Sequence, residues 1–419
     1  MACDKTVLDN GVTVVTEQFD GVRSIALGIW FVVGSRDERE SDAGMSHFLE
    51  HMMFKGTSTM SARGLSEAFD RLGARQNAFT SKEATCYYAD FLDESLEGVF
   101  ALIASMVTDA SFADDAIELE REVVIEEIAR AEDDPESVAH ELFTRLAWPK
   151  STLGRPIAGS KQTVESFERS TSLAFRAKHY HAGNCVVVAA GNVDHEAVVT
   201  LAEHHLGHLA GGKARSQRRA PGSSEGAMQF KFKDTEQAHL FTGQHTISAR
   251  DDKRFALQLA HTIFGGSMSS RLFQEIREKL GLVYSIYSYP QLYRDGGLFS
   301  VYAGTRPENA KHVYTLIERE AKRFGSSDIT ADELARAKAS VKGALALALE
   351  STSRRMMRIG EATLNGIELL TFDEQLARYD GTTLEEVRRI AHEMTCAQQT
   401  TAIVGPYTAQ GFDHYEEES

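Results

Sequence analysis

Two histidines four residues apart, with a glutamate just before the second, make up the run His47-Phe48-Leu49-Glu50-His51. On an α-helix, positions i and i+4 lie one turn apart on one face, so both imidazoles can offer a ring nitrogen to a single cation. Glu50 projects beside them, where its carboxylate could take a proton from a water polarised by that cation. Composition alone yields about 0.08 such matches in a chain of this length. The run is therefore uncommon, and its plain alternative is a histidine pair on an exposed or core-capping helix face. Imidazole donors suit zinc, and a catalytic zinc keeps three protein ligands and one open position. A third ligand must come from elsewhere in the chain.

The stretch Glu118-Leu119-Glu120-Arg121-Glu122-Val123-Val124-Ile125-Glu126-Glu127 offers candidates. Glu120 and Glu127 are two helical turns apart and share a face to within ~20°. Glu127 could coordinate the metal, while Glu120 could accept a histidine N–H and fix the ring. An acidic helix is also what an ordinary solvated face looks like, so both readings stand at this point.

These side chains need helices to carry them. Residues 45–55 read as a helix whose apolar stripe, Met45, Phe48, Leu49 and Met52, would anchor it in a core. Residues 12–16 and 24–33 before it are strand-like. After it come a helix over 62–72 with Ser61 as N-cap, extended sequence over 76–91, helices over 95–109 and 114–132, and a helix opened by Pro135. A helix over 163–178 then leads to a strand over 185–190 and a glycine turn.

The second half repeats this plan. Strands fall at 228–232 and 238–246, helices near 252–264 and 270–280, strands at 283–289 and 297–304, and helices at 310–324, 331–349 and 353–363. It closes as the first half does, with a helix over 383–394, a strand over 400–404 and a glycine turn, which points to internal duplication. Residues 211–226, rich in Gly, Ser and Arg, read as a linker. The expectation is an α+β chain of two homologous α/β-sandwich-like domains, each an antiparallel-rich sheet covered by helices. Residues 1–210 carry the metal and 227–419 do not.

The net charge of −16 argues against nucleic acid as a partner and permits attraction to basic peptides. No apolar run approaches the ~18 residues that span a bilayer. The first residues contain neither an apolar core nor an Arg-rich stretch of the targeting kind. Cys3, Cys86, Cys185 and Cys396 form no short-spaced pairs, which suits unpaired thiols in a reducing compartment. The expected location is cytoplasmic.

With these motifs in place, the sequence resembles the pitrilysin-type zinc peptidases, most closely their bacterial and mitochondrial processing-peptidase branch. Glu120-Arg121-Glu122-Val123-Val124-Ile125-Glu126-Glu127 matches that family's distal E-R-x-V-V-x-E-E setting at the family's distance from His51. The resemblance implies one zinc per chain, held by His47, His51 and Glu127 and supported by Glu120, with Glu50 as general base of an endopeptidase. Residues 73–81 look like the family's edge strand, which implies that Asn77, Ala78 and Phe79 bind substrate peptide as an added strand. The run Arg277-Glu278-Lys279-Leu280-Gly281-Leu282-Val283-Tyr284 is similar to its R…Y pair, which implies that Arg277 and Tyr284 hold the substrate carbonyl. Glu136 and Glu141 fall near where the family recognises a basic residue. The resemblance further implies a homodimer, or a heterodimer with a related chain. The rival reading is a non-catalytic scaffold subunit of the same fold. Such copies lose a histidine, the catalytic glutamate or the R…Y pair, all of which are present here.

Overall fold

The computed structural model describes residues 3–212, 218, 221–222, 226–326, 328–395 and 397–406. From its start the chain forms β1 (Asp4–Val7), β2 (Thr13–Gln18), β3 (Ser24–Phe31), α1 (Met45–Met52), α2 (Ala62–Arg71), β4 (Arg75–Thr80), β5 (Thr85–Leu92), α3 (Leu96–Asp109), α4 (Asp114–Asp133), α5 (Pro135–Ala147), α6 (Lys161–Glu165), α7 (Arg169–His179), β6 (Cys185–Gly191) and α8 (His195–Leu206). It continues with β7 (Met228–Phe232), β8 (Ala238–Thr246), α9 (Arg254–Phe264), β9 (Val283–Tyr293), β10 (Gly296–Thr305), α10 (Ala310–Gly325), α11 (Ala331–Ala348), α12 (Thr352–Asn365), α13 (Phe372–Gly381), α14 (Leu384–Glu393) and β11 (Thr400–Gly405).

The first sheet has the order β1-β2-β6-β3-β5-β4 and the second β7-β11-β8-β10-β9. With β1 set aside, the first strand of each half pairs parallel with the last, β2 with β6 and β7 with β11. The other pairings are antiparallel. Setting β1 aside, both sheets follow one winding: first strand, last, second, fourth, third. The duplication expected from the sequence is thus present in the topology.

The chain divides into two compact units, neither continuous in sequence. One comprises Met1–Ala129, Arg155–Arg219 and Ala346–Phe372; the other Arg130–Gly154, Ala220–Leu345 and Asp373–Ser419. The division at 211–226 therefore misses an exchange of helices. In the first unit, Ile25, Leu27, Ile29 and Phe31 of β3 face a core with Phe48, Leu49 and Phe100, while Ala26 and Trp30 on the opposite face pack with Met356 and Ile359 of α12. Gly360 permits that approach, since a Cβ there would stand 2.4 Å from the Trp30 ring. Glu17, 2% exposed, meets Arg355 of α12 at 3.1 Å and Arg358 at 3.2 Å. In the second unit, Val138, Leu142 and Phe143 of α5 pack with Phe241, Tyr302 and Val404. A sheet hydrophobic on both faces needs two covers, and each sheet takes one from the other half of the sequence.

Three further differences from the sequence reading are local. The helix expected over 163–178 is two, α6 and α7, because Phe167 is buried in the gap and the Glu168 N–H turns to the Thr171 hydroxyl at 3.1 Å. Residues 270–280 form a widened π turn over Phe273–Glu278, with Lys279 N–H reaching the carbonyl of Gln274. Strand β1 and helices α8 and α13 were not anticipated. Much of 211–226 lies outside the described residues, but Arg218 within it meets Asp37 at 2.7 Å and also pairs with Glu83. Cys3, Cys86 and Cys185 are free, and Cys396 lies outside the described residues. No helix among the described residues is long and apolar enough to cross a membrane.

Candidate metal centre

Helix α1 buries Met45, Phe48, Leu49 and Met52 to 2% exposure or less. That leaves His47, Glu50 and His51 on its half-buried face. Its N-terminus has no local side-chain cap. Instead Glu38, 4% exposed, accepts the backbone N–H of Gly44 at 2.8 Å and of Ser46 at 2.7 Å. Those donors are orphaned at any helix start, and a carboxylate also complements the helix dipole. Burial nevertheless pushes the Glu38 carboxyl up to about 7, against the pull of these hydrogen bonds. Gly44 is required where it stands: its φ is +95° and a Cβ would meet the Ala158 carbonyl oxygen at 2.4 Å.

Across from α1, α4 brings two of its acids inward. Glu127 Oε2 lies 3.6 Å from His47 Nε2 and 3.5 Å from His51 Nε2. Ligands 2.0–2.2 Å from one tetrahedral zinc stand about 3.3–3.6 Å apart, so the carboxylate sits where a shared cation would put it. Among the described residues, His47, His51 and Glu127 are the one group of three or more such side chains whose ligand atoms all lie within 4.8 Å of one another. Glu120, 2% exposed, meets His51 Nδ1 at 2.8 Å. Taken as the N–H donor, Nδ1 leaves Nε2 with its lone pair toward Glu127, the tautomer a metal needs.

Electrostatics separate the two rings. Burial, with the charge of His51 added, pushes His47 down to about 4 and keeps the ring neutral. Burial also pulls His51 down, but the Glu120 hydrogen bond and the charges of Glu127, Glu120 and Glu50 outweigh it and raise its pKa. Glu50 is raised by burial, partly offset by the Thr80 hydroxyl, which donates to Oε2 at 2.6 Å. Thr80 closes β4, the edge strand of the first sheet.

On that strand Ala78 N–H donates to Asn77 Oδ1 at 2.8 Å. The Phe79 ring packs against Trp30 at 5.3 Å between centroids, so its side chain serves the layer beneath α12. The remaining expected site residues lie in the second unit. Glu136 accepts the Tyr287 hydroxyl at 2.8 Å, and Glu141 is exposed farther along α5. Arg277 stacks its guanidinium 4.8 Å above the Phe273 ring, and Tyr284 is 75% exposed. Sequence reasoning missed Glu38, Thr80 and Lys55, the last of which ion-pairs with Glu120.

Among the described residues, the second half carries no counterpart of this group. Helix α9 follows β8 as α1 follows β3, but it holds one histidine, His261, and no acidic residue. His261 is turned to Ser288 Oγ at 2.9 Å, and burial pushes its pKa down to about 4.

Comparison with known proteins gives the family. Residues 13–161 match the family model described as Insulinase (Peptidase family M16), and residues 166–341 match Peptidase M16 inactive domain. An uncharacterized zinc protease of Mycobacterium leprae is 38% identical over 97% of this chain and 92% of its own length. An uncharacterized zinc protease of Bacillus subtilis is 36% identical over 95% of this chain and 97% of its own. Among solved structures, a Pseudomonas fluorescens protein described as a peptidase M16 inactive domain superposes with a TM-score of 0.91 at 20% identity, covering 98% of this chain and 99% of that one. Its likeness is one of fold. Two family models in tandem and whole-length relatives above 30% identity place the chain in the insulinase, or pitrilysin, family of M16 peptidases.

Proposed function

We propose that this chain is a zinc-dependent endopeptidase acting on extended or unfolded peptides. The observation that carries the reading is the meeting of His47, His51 and Glu127 with Glu50 beside them. The relatives named zinc proteases support it. His47, His51 and Glu127 would hold the zinc, which would supply Lewis acidity toward an attacking water and the scissile carbonyl. Glu50 accepts the proton of the attacking water and returns it to the leaving amine; its raised pKa brings it nearer the operating pH. Thr80 holds one oxygen of Glu50 and leaves the other to the water.

Edge strand β4 takes the peptide by β-augmentation along Asn77, Ala78 and Phe79. An incoming peptide carbonyl takes over the Ala78 N–H that Asn77 now holds. Arg277 and Tyr284 donate to the oxyanion, a role worth about 3 kcal/mol per donor. Glu136 and Glu141 favour basic residues near the cleaved bond, as the acidic net charge does at longer range. The working form is a homodimer or a heterodimer with a related chain, in the manner of the processing peptidases, in the cytoplasm. Metal analysis of the purified protein, paired with chelator-reversible cleavage of an unfolded basic peptide, tests the reading. Glu50→Gln should keep its zinc and lose nearly all turnover. A zinc-free protein, or substantial cleavage by that variant, overturns it.

A further inference from the structure

One cation beside the metal centre has no role in the chemistry above. Lys55 follows His51 by four residues, as His51 follows His47, so the three fall on one stripe although α1 ends at Met52. The facing acids of α4 meet this stripe in reverse order. Glu127 stands by His47 and His51, and Glu120 by His51 and Lys55. Glu120 divides its carboxylate: Oε1 meets His51 Nδ1 at 2.8 Å, and Oε2 ion-pairs with Lys55 Nζ.

The turn bearing Lys55 is fixed. Lys55 N–H donates to Met52 at 3.1 Å. Gly56, with φ +104°, bridges Ser61, and Thr57 bridges Ala110. Ser58 N–H donates to the Asp109 carbonyl at 3.2 Å, where α3 ends. The lysine is therefore delivered from a braced turn.

A carboxylate 2% exposed, with a neutral imidazole as its sole partner, would be a buried charge without compensation. Its terminal torsion is also broad and soft. Lys55 supplies the balancing charge and grips the second oxygen, so that Oε1 stays against Nδ1 and the His51 ring stays aimed at Glu127. We propose that Lys55 is a positioning residue of the metal centre, acting through Glu120 to hold His51 for zinc. This rests on the zinc reading above.

The test measures zinc affinity of the purified full chain by competition with a chromophoric chelator, with no peptide present. Lys55→Met should bind zinc about 10–100-fold more weakly, the size of effect seen for other outer partners of metal ligands. Lys55→Arg should recover most of the loss, and the absorption bands of bound Co²⁺ should shift in Lys55→Met and return in Lys55→Arg. In a Glu120→Gln background, Lys55→Met should add little. Wild-type affinity in Lys55→Met, no rescue by arginine, or full additivity with Glu120→Gln overturns the assignment, and should Lys55→Met fail to fold, Lys55→Gln takes its place. A wild-type chain that binds no zinc overturns the proposed function itself, and is told apart from these outcomes by the same titration.

Discussion

Thr80 donates its hydroxyl to Oε2 of Glu50 at 2.6 Å, joining the edge strand of the first sheet to helix α1. Burial raises the Glu50 carboxyl, and this hydrogen bond is the chief influence drawing it back. Removing the hydroxyl with Thr80→Val should raise Glu50 further. More of the base is then protonated at mildly acidic pH, so the acidic limb of the kcat/KM profile should move to higher pH. Thr80→Ser, which keeps the donor, should restore the wild-type limb. Profiles of the three proteins that superpose would refute the link.

The two histidines should respond differently to acid. His47, pushed down to about 4, stays neutral through the working range. His51 has a raised pKa, so without metal the folded chain holds that proton more tightly than the unfolded chain does. The resulting stability is fully present below the unfolded value near 6.5 and is lost as pH rises through the folded value. Zinc needs the same ring nitrogen unprotonated, so the stabilisation it adds should grow over that window. Melting of metal-free and zinc-loaded protein between pH 6 and pH 8 measures both trends. His51→Gln should abolish their opposition.

Glu38 gives a stability trend of the same sign from a buried carboxyl. Its pKa is raised by burial to about 7, so between the ordinary value and that one the folded state binds more protons than the unfolded state. Stability should therefore fall as pH rises across that interval. Glu38→Ala removes the acceptor and orphans the N–H groups of Gly44 and Ser46 at the start of α1. That should cost about 1–3 kcal/mol per buried donor. Chemical denaturation at pH 5 and pH 7 should show the loss and a flatter pH dependence. An unchanged midpoint would show that the helix start is held by other means.

The convergence of His47, His51 and Glu127 was partly legible in sequence: helix arithmetic put the two histidines on one face and Glu120 with Glu127 on another, and only the family resemblance singled out Glu127 to meet them. Lys55 obeys that arithmetic too, but its stripe continues past the end of α1, so it reads as a surface lysine. Glu38 and Thr80 follow no periodicity. One reaches α1 because the loop over 38–44 doubles back, the other because β4 passes beside the helix, and neither route is written in local spacing. The twofold repeat was visible in the order of elements, and the exchange of α5 and α12 was not. Amphipathicity says that a helix covers a sheet, not which sheet. Phe167 hid the break between α6 and α7 by continuing the apolar pattern across it.

That exchange makes a quantitative claim about Arg355. On α12 it lies 3.1 Å from Glu17, whose side chain is 3% exposed, and its guanidinium also stacks 3.9 Å above Phe19 and donates to the Leu349 carbonyl at 2.6 Å. Removing one partner of a buried pair leaves the other charge poorly compensated, a loss of 3–5 kcal/mol in general. Arg358 remains 3.2 Å from Glu17, so Arg355→Met should fall near the low end, about 3 kcal/mol. The ion pair Arg63–Glu67 on α2 is the control: its side chains are 89% and 43% exposed, and Glu67→Ala should cost about 0.5 kcal/mol or less. Urea denaturation of both variants makes the comparison. If Arg355→Met loses no more than the control, the Glu17 pair adds little to the hold of α12 on the first sheet; a loss several times larger makes this ion pair, from the second half of the chain, part of what holds the fold around His47, His51 and Glu127.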